Sequence, residues 1–156
     1  MEPSRFDELA FFRALAESQA RALLIGRRAL VLLGLPVLTA DYDFWLAIDD
    51  IQTMNAVGRR FDLEPTRTPD EARSHGRYVL ENDEHVDVRV ARSMPTIGGP
   101  DVHFESLWER RQQVIVDGAS VFVPSIDDLI LTKRIATRPK DLEDIRLLEI
   151  LKGTRR

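Results

Sequence analysis

The chain's tightest constraint is the stretch from Ala40 to Ile48, ADYDFWLAI, in which Asp41 and Asp43 stand two positions apart at the head of an apolar run. The run reads as a strand, and alternation along a strand turns both aspartates to the same face. Their β-carbons then lie roughly 6.5 Å apart, and two such charges repel by about 2.5 kcal/mol at an effective dielectric near 20. A strand with only a structural task has little reason to carry that repulsion. A divalent cation held between the two carboxylates removes it, so the pair reads as a site for a hard, oxygen-liganded metal.

The rest of the chain reads as one α+β domain over residues 1–156, a mixed sheet flanked by helices and closed by a C-terminal helical pair. Ser4 to Ala20 has the pattern of an amphipathic helix, with Ser4 and Asp7 at its start and Phe6, Leu9, Ala10, Phe12 and Ala16 on one face. Arg21 to Ile25 is a short apolar strand that meets Gly26, and Arg27 to Leu33 follows as a helix ending at Gly34 and Pro36. Behind the aspartate strand, Asp49 and Asp50 sit where a helix over Ile51 to Phe61 would be capped. Pro65 to Gly76 is polar and holds two prolines, which predicts a loop. Arg77 to Leu80 and His85 to Val90 are strands, and Ala91 to Asp101, with Pro95, Gly98, Gly99 and Pro100, is loop. Phe104 to Arg111 is helical, and Asp117-Gly118 joins two strands in a hairpin. In the last third, which spans 124–151, Ser125 and Asp128 cap a helix with Ile126, Leu129, Ile130 and Lys133 on one face. Thr137 to Pro139 interrupts it, and Lys140 to Leu151 forms a second helix with Leu142, Ile145, Leu148 and Leu151 inward.

Composition narrows the class of function. With 22 basic and 26 acidic residues the net charge is −4, which argues against sequence-blind nucleic-acid binding over the whole surface but leaves room for a local basic groove. There is no cysteine, so disulfides, thiolate metal ligands and a Cys nucleophile are excluded. No apolar stretch is long enough to span a bilayer, and the acidic start MEPSRFDEL is unlike a secretory leader; the expectation is a cytoplasmic protein with no membrane partner.

Three further pieces accompany the aspartate pair. The strand–Gly26–helix junction offers free backbone N–H groups and the positive end of a helix dipole, suited to phosphate. Asp87, in the strand HVDVRV, supplies a third carboxylate if that strand lies beside the first; Glu81 and Asp83 compete for the role if the register shifts. Lys133, Arg138 and Lys140 cluster at the break between the last two helices, within reach of a triphosphate, with Arg134 an equal competitor for Lys133. Three converging acids are what two divalent ions need to hold a triphosphate and activate an attacking oxygen. The bland alternatives are an ion pair to Arg89 or a neighbouring strand for Asp87, surface charge for Arg28, and core packing for Trp45 and Trp108. His75, His85 and His103 lack metal-ligand spacing and read as incidental.

The ordered set of glycine junction, D-x-D strand and later Asp87 resembles the nucleotidyltransferase superfamily of the DNA polymerase β type. The C-terminal run, PSIDDLILTK followed by RPKDLEDI, is similar to the AbiEii-like group of bacterial nucleotidyltransferases, which includes toxins of toxin–antitoxin pairs. The resemblance spans about residues 22 to 151. It implies a nucleotidyltransferase-like fold and transfer of a nucleoside monophosphate from an NTP to a hydroxyl of RNA, protein or a small molecule. Mg²⁺ or Mn²⁺ would be held by Asp41, Asp43 and Asp87, with Asp87 helping to deprotonate the acceptor. Gly26 and Arg27 would face the phosphates together with Lys133 and Arg138, and Asp141 and Asp144 would be architectural. Two departures from the family pattern stand out: Arg27 where the junction usually has a second small residue, and Val37 near a position that often carries an arginine. They support a second reading, a catalytically degenerate binding module of the same fold that acts through a cognate protein partner.

Overall fold

In the computed structural model, which describes residues 6–154, five strands form a mixed sheet in the order β1-β2-β5-β4-β3. Helix α1 (Glu8–Ser18) leads in, with Asp7 as its cap; the Asp7 carboxylate accepts a hydrogen bond from the Ala10 amide at 3.0 Å. Ser4 lies outside the described residues. The buried face of α1 is Phe11, Phe12, Ala14 and Leu15, so Leu9, Ala10 and Ala16, expected inward, are only half-buried. Strand β1 (Ala22–Ile25) runs into α2 (Gly26–Leu32), and β2 (Tyr42–Leu46) returns antiparallel to β1. A single 3₁₀ turn then leads to α3 (Ile51–Arg59). Asp50 does not cap α3 with its side chain; its carboxylate instead accepts from the Arg21 amide at 2.9 Å and so ties this turn to the head of β1.

The segment expected as loop folds. It holds the short β3 (Glu64–Pro65) and the helix α4 (Pro69–His75), which starts on a complete capping box: Thr68 Oγ1 accepts from the Glu71 amide, and the Glu71 carboxylate accepts from the Thr68 amide. Pro69 is no obstacle, because the first helical position has no intrahelical partner for an N–H. Strands β4 (Arg77–Glu81) and β5 (His85–Arg89) form the next hairpin, and β5 lies parallel to β2 at the centre of the sheet. Two residues of the expected loop after β5 pair as β6 (Ser93–Met94) with β7 (Val102–His103). Then come α5 (Phe104–Glu109), the hairpin of β8 (Gln112–Val116) with β9 (Ala119–Val123), α6 (Ile126–Lys133) and α7 (Pro139–Thr154).

Alternation across the sheet sorts the side chains into two compartments. One face carries Leu24, Phe44, Leu46, Tyr78, Leu80, Val86 and Val88 into the main core against Phe11, Phe12 and Met54 of α1 and α3. The other face carries Leu23, Ile25, Trp45 and Ala47 into a smaller core with Val102, Phe104 and Leu107. Trp45 is fully buried there, its indole N–H donating to the Ala91 carbonyl at 2.8 Å, and Trp108 stacks on Phe104 at a centroid distance of 6.1 Å. Both tryptophans are therefore packing groups. The smaller core covers only part of its face, and the uncovered part is where Asp43 and Asp87 emerge. No helix among the described residues is long and apolar enough to cross a membrane.

Candidate active site

The parallel pairing of β2 with β5 sets Asp43 directly opposite Asp87. Register partners on neighbouring strands share a face with backbones about 4.8 Å apart, so two acids drawn from distant parts of the chain stand side by side. Ile25, the last residue of β1, is the partner of Asp43 on its other flank, which brings the turn at Gly26 against the same carboxylate. Asp43 Oδ2 lies so close to Gly26 that an added β-carbon there would come within 2.5 Å of it, and Gly26 has φ +69°. A left-handed conformation and a carboxylate at contact distance both demand glycine.

These groups line one open cleft of about 270 Å³. The residues first in line for metal and nucleotide are all in its wall: Gly26, Arg27, Asp41, Asp43, Asp87, Lys133 and Arg138; the competitors Glu81, Asp83 and Arg134 are not. Arg77, Arg89, Thr39, Lys140 and Asp141 line it too. The wall thus carries six cationic side chains against four carboxylates, an excess of positive charge in a chain whose net charge is −4. Asp43 titrates above the ordinary aspartate value; burial is the main cause, with the charges of Asp87 and Asp41 adding to it and those of Arg89 and Lys133 opposing it. It is a carboxylate short of positive charge.

The acids do not form the ready-made cage expected of them. Among the described residues no three His, Cys, Asp or Glu side chains are grouped closely enough to hold an ion as they stand. Asp87 is already engaged: its Oδ1 accepts hydrogen bonds from Nε (3.0 Å) and Nη2 of Arg77, and its Oδ2 is 3.4 Å from His85 Nε2. The partner is an arginine of the next strand rather than Arg89. In kind and placement the residues nonetheless suit a hard divalent ion, since three acidic side chains face one cleft and the charge of Asp43 is undercompensated.

The basic residues are also partly engaged. Arg27 reaches away from the glycine turn, its Nε 3.2 Å from Asp144 Oδ2 and its Nη2 3.9 Å from Glu143. It therefore neither fills the pocket nor presents a free guanidinium. Lys133, expected to be a nucleotide contact, is almost fully buried and ion-paired to Asp144 at 2.8 Å, with Asp141 at 3.9 Å. A buried ammonium has to be paired, and α7 supplies the partner. Arg138 holds Asp141 through Nε at 2.8 Å but remains 60 % exposed, and Lys140 follows it at the start of α7. Arg134 caps α6 and does not line the cleft.

The sequence does not single out Arg77, and offers Arg89 only as a pairing partner for Asp87. Arg89 shares the face of Asp87 by the alternation of HVDVR, a signal that was present; Arg77 stands opposite Arg89 across β4 and β5, which only the register reveals. Burial lowers the titration of Arg89 from its ordinary value, and its one side-chain hydrogen bond among the described residues goes to Met94 Sδ at 3.3 Å. A guanidinium so weakly satisfied has donors to spare for an anion.

No family model and no curated protein matches the sequence. Solved structures match its fold. The fold is similar to that of the lincosamide antibiotic adenylyltransferase LnuA in its lincomycin-bound form, with a TM-score of 0.63 and 13 % identity over 95 % of this chain and 99 % of that one. It is similar to ANT(2″)-Ia in complex with adenylyl-2″-tobramycin, with a TM-score of 0.60 and 15 % identity over 92 % and 91 % of the two chains. A Thermotoga maritima protein assigned to the nucleotidyltransferases matches with a TM-score of 0.61 and 15 % identity over 88 % and 86 %. At these identities the likeness establishes the fold, which is that of nucleotidyltransferases.

Proposed function

We propose that this protein transfers a nucleoside monophosphate from an NTP to a hydroxyl group of a small molecule. The carrying observation is the register of Asp43 with Asp87 beneath a rim of cations, in a fold whose neighbours include the adenylyltransferase LnuA bound to lincomycin and ANT(2″)-Ia bound to adenylyl-2″-tobramycin. Asp41, Asp43 and Asp87 would hold Mg²⁺ or Mn²⁺, which supplies charge neutralisation at the α-phosphate and lowers the pKa of the acceptor hydroxyl. The protein's own groups do the remainder. Arg89, Arg138 and Lys140 bind the triphosphate and stabilise the charge that grows on the departing pyrophosphate. Asp87 takes the acceptor's proton as the acceptor oxygen bonds to the α-phosphorus and the bond from that phosphorus to the pyrophosphate oxygen breaks. The glycine turn at Gly26 lets backbone approach the phosphates.

The narrower kinship with AbiEii-like proteins rests on the C-terminal run alone, and an RNA or protein acceptor belongs to that kinship. A second reading, a non-catalytic module working through a protein partner, has two observations in its favour: Asp87 is already paired, and among the described residues no three-acid group is assembled. One experiment addresses both. The protein and Asp43→Asn are incubated with each α-labelled NTP, Mn²⁺ and panels of aminoglycosides, lincosamides and RNA. Label on a small polyhydroxylated acceptor, lost in Asp43→Asn, supports transfer. Absence of label, with no Mn²⁺-dependent rise in melting temperature on adding ATP, supports the inert module.

A further inference from the structure

Asp87 carries two duties that conflict as the structure stands. As a metal ligand and proton acceptor it needs a free oxygen facing Asp43, yet Oδ1 is taken by two N–H groups of Arg77 and Oδ2 faces His85. A divalent ion on that oxygen would meet a guanidinium at contact distance, and two cations of like sign cannot share it. Arg77 is suited to yield. It stands at the first position of β4, its side chain is 55 % exposed, and its departure opens no part of either core. Its cross-strand neighbour Arg89 lies on the same face, so the two guanidiniums together form a fork beside the acids.

Resting on the functional reading above, the geometry points to Arg77 as a resident counter-ion of Asp87, one that excludes the divalent metal until the phosphates of an incoming nucleotide draw the guanidinium away. In the nucleotide-free protein Arg77 neutralises Asp87 and lowers metal affinity. A triphosphate in the cleft offers Arg77 a better partner, next to Arg89, and leaves Asp87 to the metal. Metal and nucleotide then raise one another's affinity by the same factor, since such coupling is reciprocal. The device keeps the acids from capturing ions before substrate arrives.

The test is nucleotide-free Mn²⁺ binding, read from the paramagnetic resonance signal of free Mn²⁺. It compares the full chain, Arg77→Ala, Arg77→Lys and the double variant Arg77→Ala with Asp87→Asn, each first shown to keep a cooperative melt. Arg77→Ala is expected to tighten Mn²⁺ binding about fivefold, the factor that loss of one competing, half-exposed ion pair supplies. Arg77→Lys, which keeps the charge, should stay near the parent, and Asp87→Asn should cancel the gain. In parallel, the affinity of Arg77→Ala for the α,β-methylene analogue of ATP should fall. Unchanged or weaker Mn²⁺ binding in Arg77→Ala overturns the counter-ion role while leaving the transfer reading in place. Failure of all the proteins to bind Mn²⁺, with or without the analogue, removes the metal-dependent transfer reading itself and this inference with it.

Discussion

Gly26 and Asp43 are fixed to one another by van der Waals contact, and that contact is testable at the level of single atoms. Gly26→Ala places a methyl group 2.5 Å from Asp43 Oδ2, on a backbone with φ +69°. The left-handed conformation alone costs about 1–2 kcal/mol, so the variant should melt several degrees lower and lose transfer activity. Asp43 behaves in the opposite sense. Burial and its acidic neighbours raise its titration above 3.8. The protonated form is therefore the one the fold prefers, and the stability it gives is fully present below the unfolded value and is lost as pH rises through the raised one. At neutral pH Asp43→Asn should accordingly raise the melting temperature of the metal-free protein, while abolishing the proposed transfer. A melting temperature that falls on this substitution would show the carboxylate to be well compensated. Residues of this kind were legible in the sequence because their reasons are local: a repeated acid at the head of an apolar run, and a glycine at a strand–helix junction. Arg77 was not, because its role follows from which strand lies next to which.

At the scale of elements, the last two helices are clasped by charge as well as by apolar packing. Lys133 of α6 meets Asp144 and Asp141 of α7, and Arg27 of α2 joins them on Asp144. Lys133→Ala leaves a fully buried carboxylate beside a single remaining cation; it should cost about 3–5 kcal/mol, visible in a denaturant melt as a lower midpoint. The clasp is also acid-sensitive. Although burial alone would raise it, Asp141 titrates below 3.8, because the hydrogen bonds from Arg138 and the charges of Arg138 and Lys133 outweigh burial. Its contribution is complete above the ordinary aspartate value and disappears as pH falls through the lowered one; amide exchange in α7 should quicken over that range. The apolar spacing of α7 points Leu142, Ile145, Leu148 and Leu151 inward; Leu148 is fully buried and Ile145 and Leu151 pack on the main core, but Leu142 is 57 % exposed and the acids Asp141 and Asp144 are buried beside them. An apolar periodicity cannot reveal a helix that docks through buried acids, since the pairing partners lie in other elements. The miss at α4 was different: the signals were local, a capping box and a proline at the first helical position, and two prolines were read only as breakers.

For the molecule as a whole, the distribution of charge matters more than its sum. An acidic chain that gathers an excess of cations into one cleft directs anions there and repels them elsewhere. Affinity for ATP should therefore weaken as salt rises from 50 to 500 mM, much more steeply than the Debye screening of a single exposed pair would produce; a flat response measured by equilibrium dialysis would contradict this. The central strands bear on a different matter, the order of events in time. Asp43 and Asp87 are neighbours only because β2 and β5 run parallel, and the chain from Ala47 to Glu84 must close as a loop before they touch. Hairpins such as β8 with β9 need no such closure and can form early, whereas a long crossover is slow to bring its ends together. A chain still lacking β5 thus holds half of its acidic pair; if the cleft binds nucleotide as proposed, capture waits until the middle of the sheet has been sealed, and a nucleotide added during refolding should accelerate none of the steps before that one.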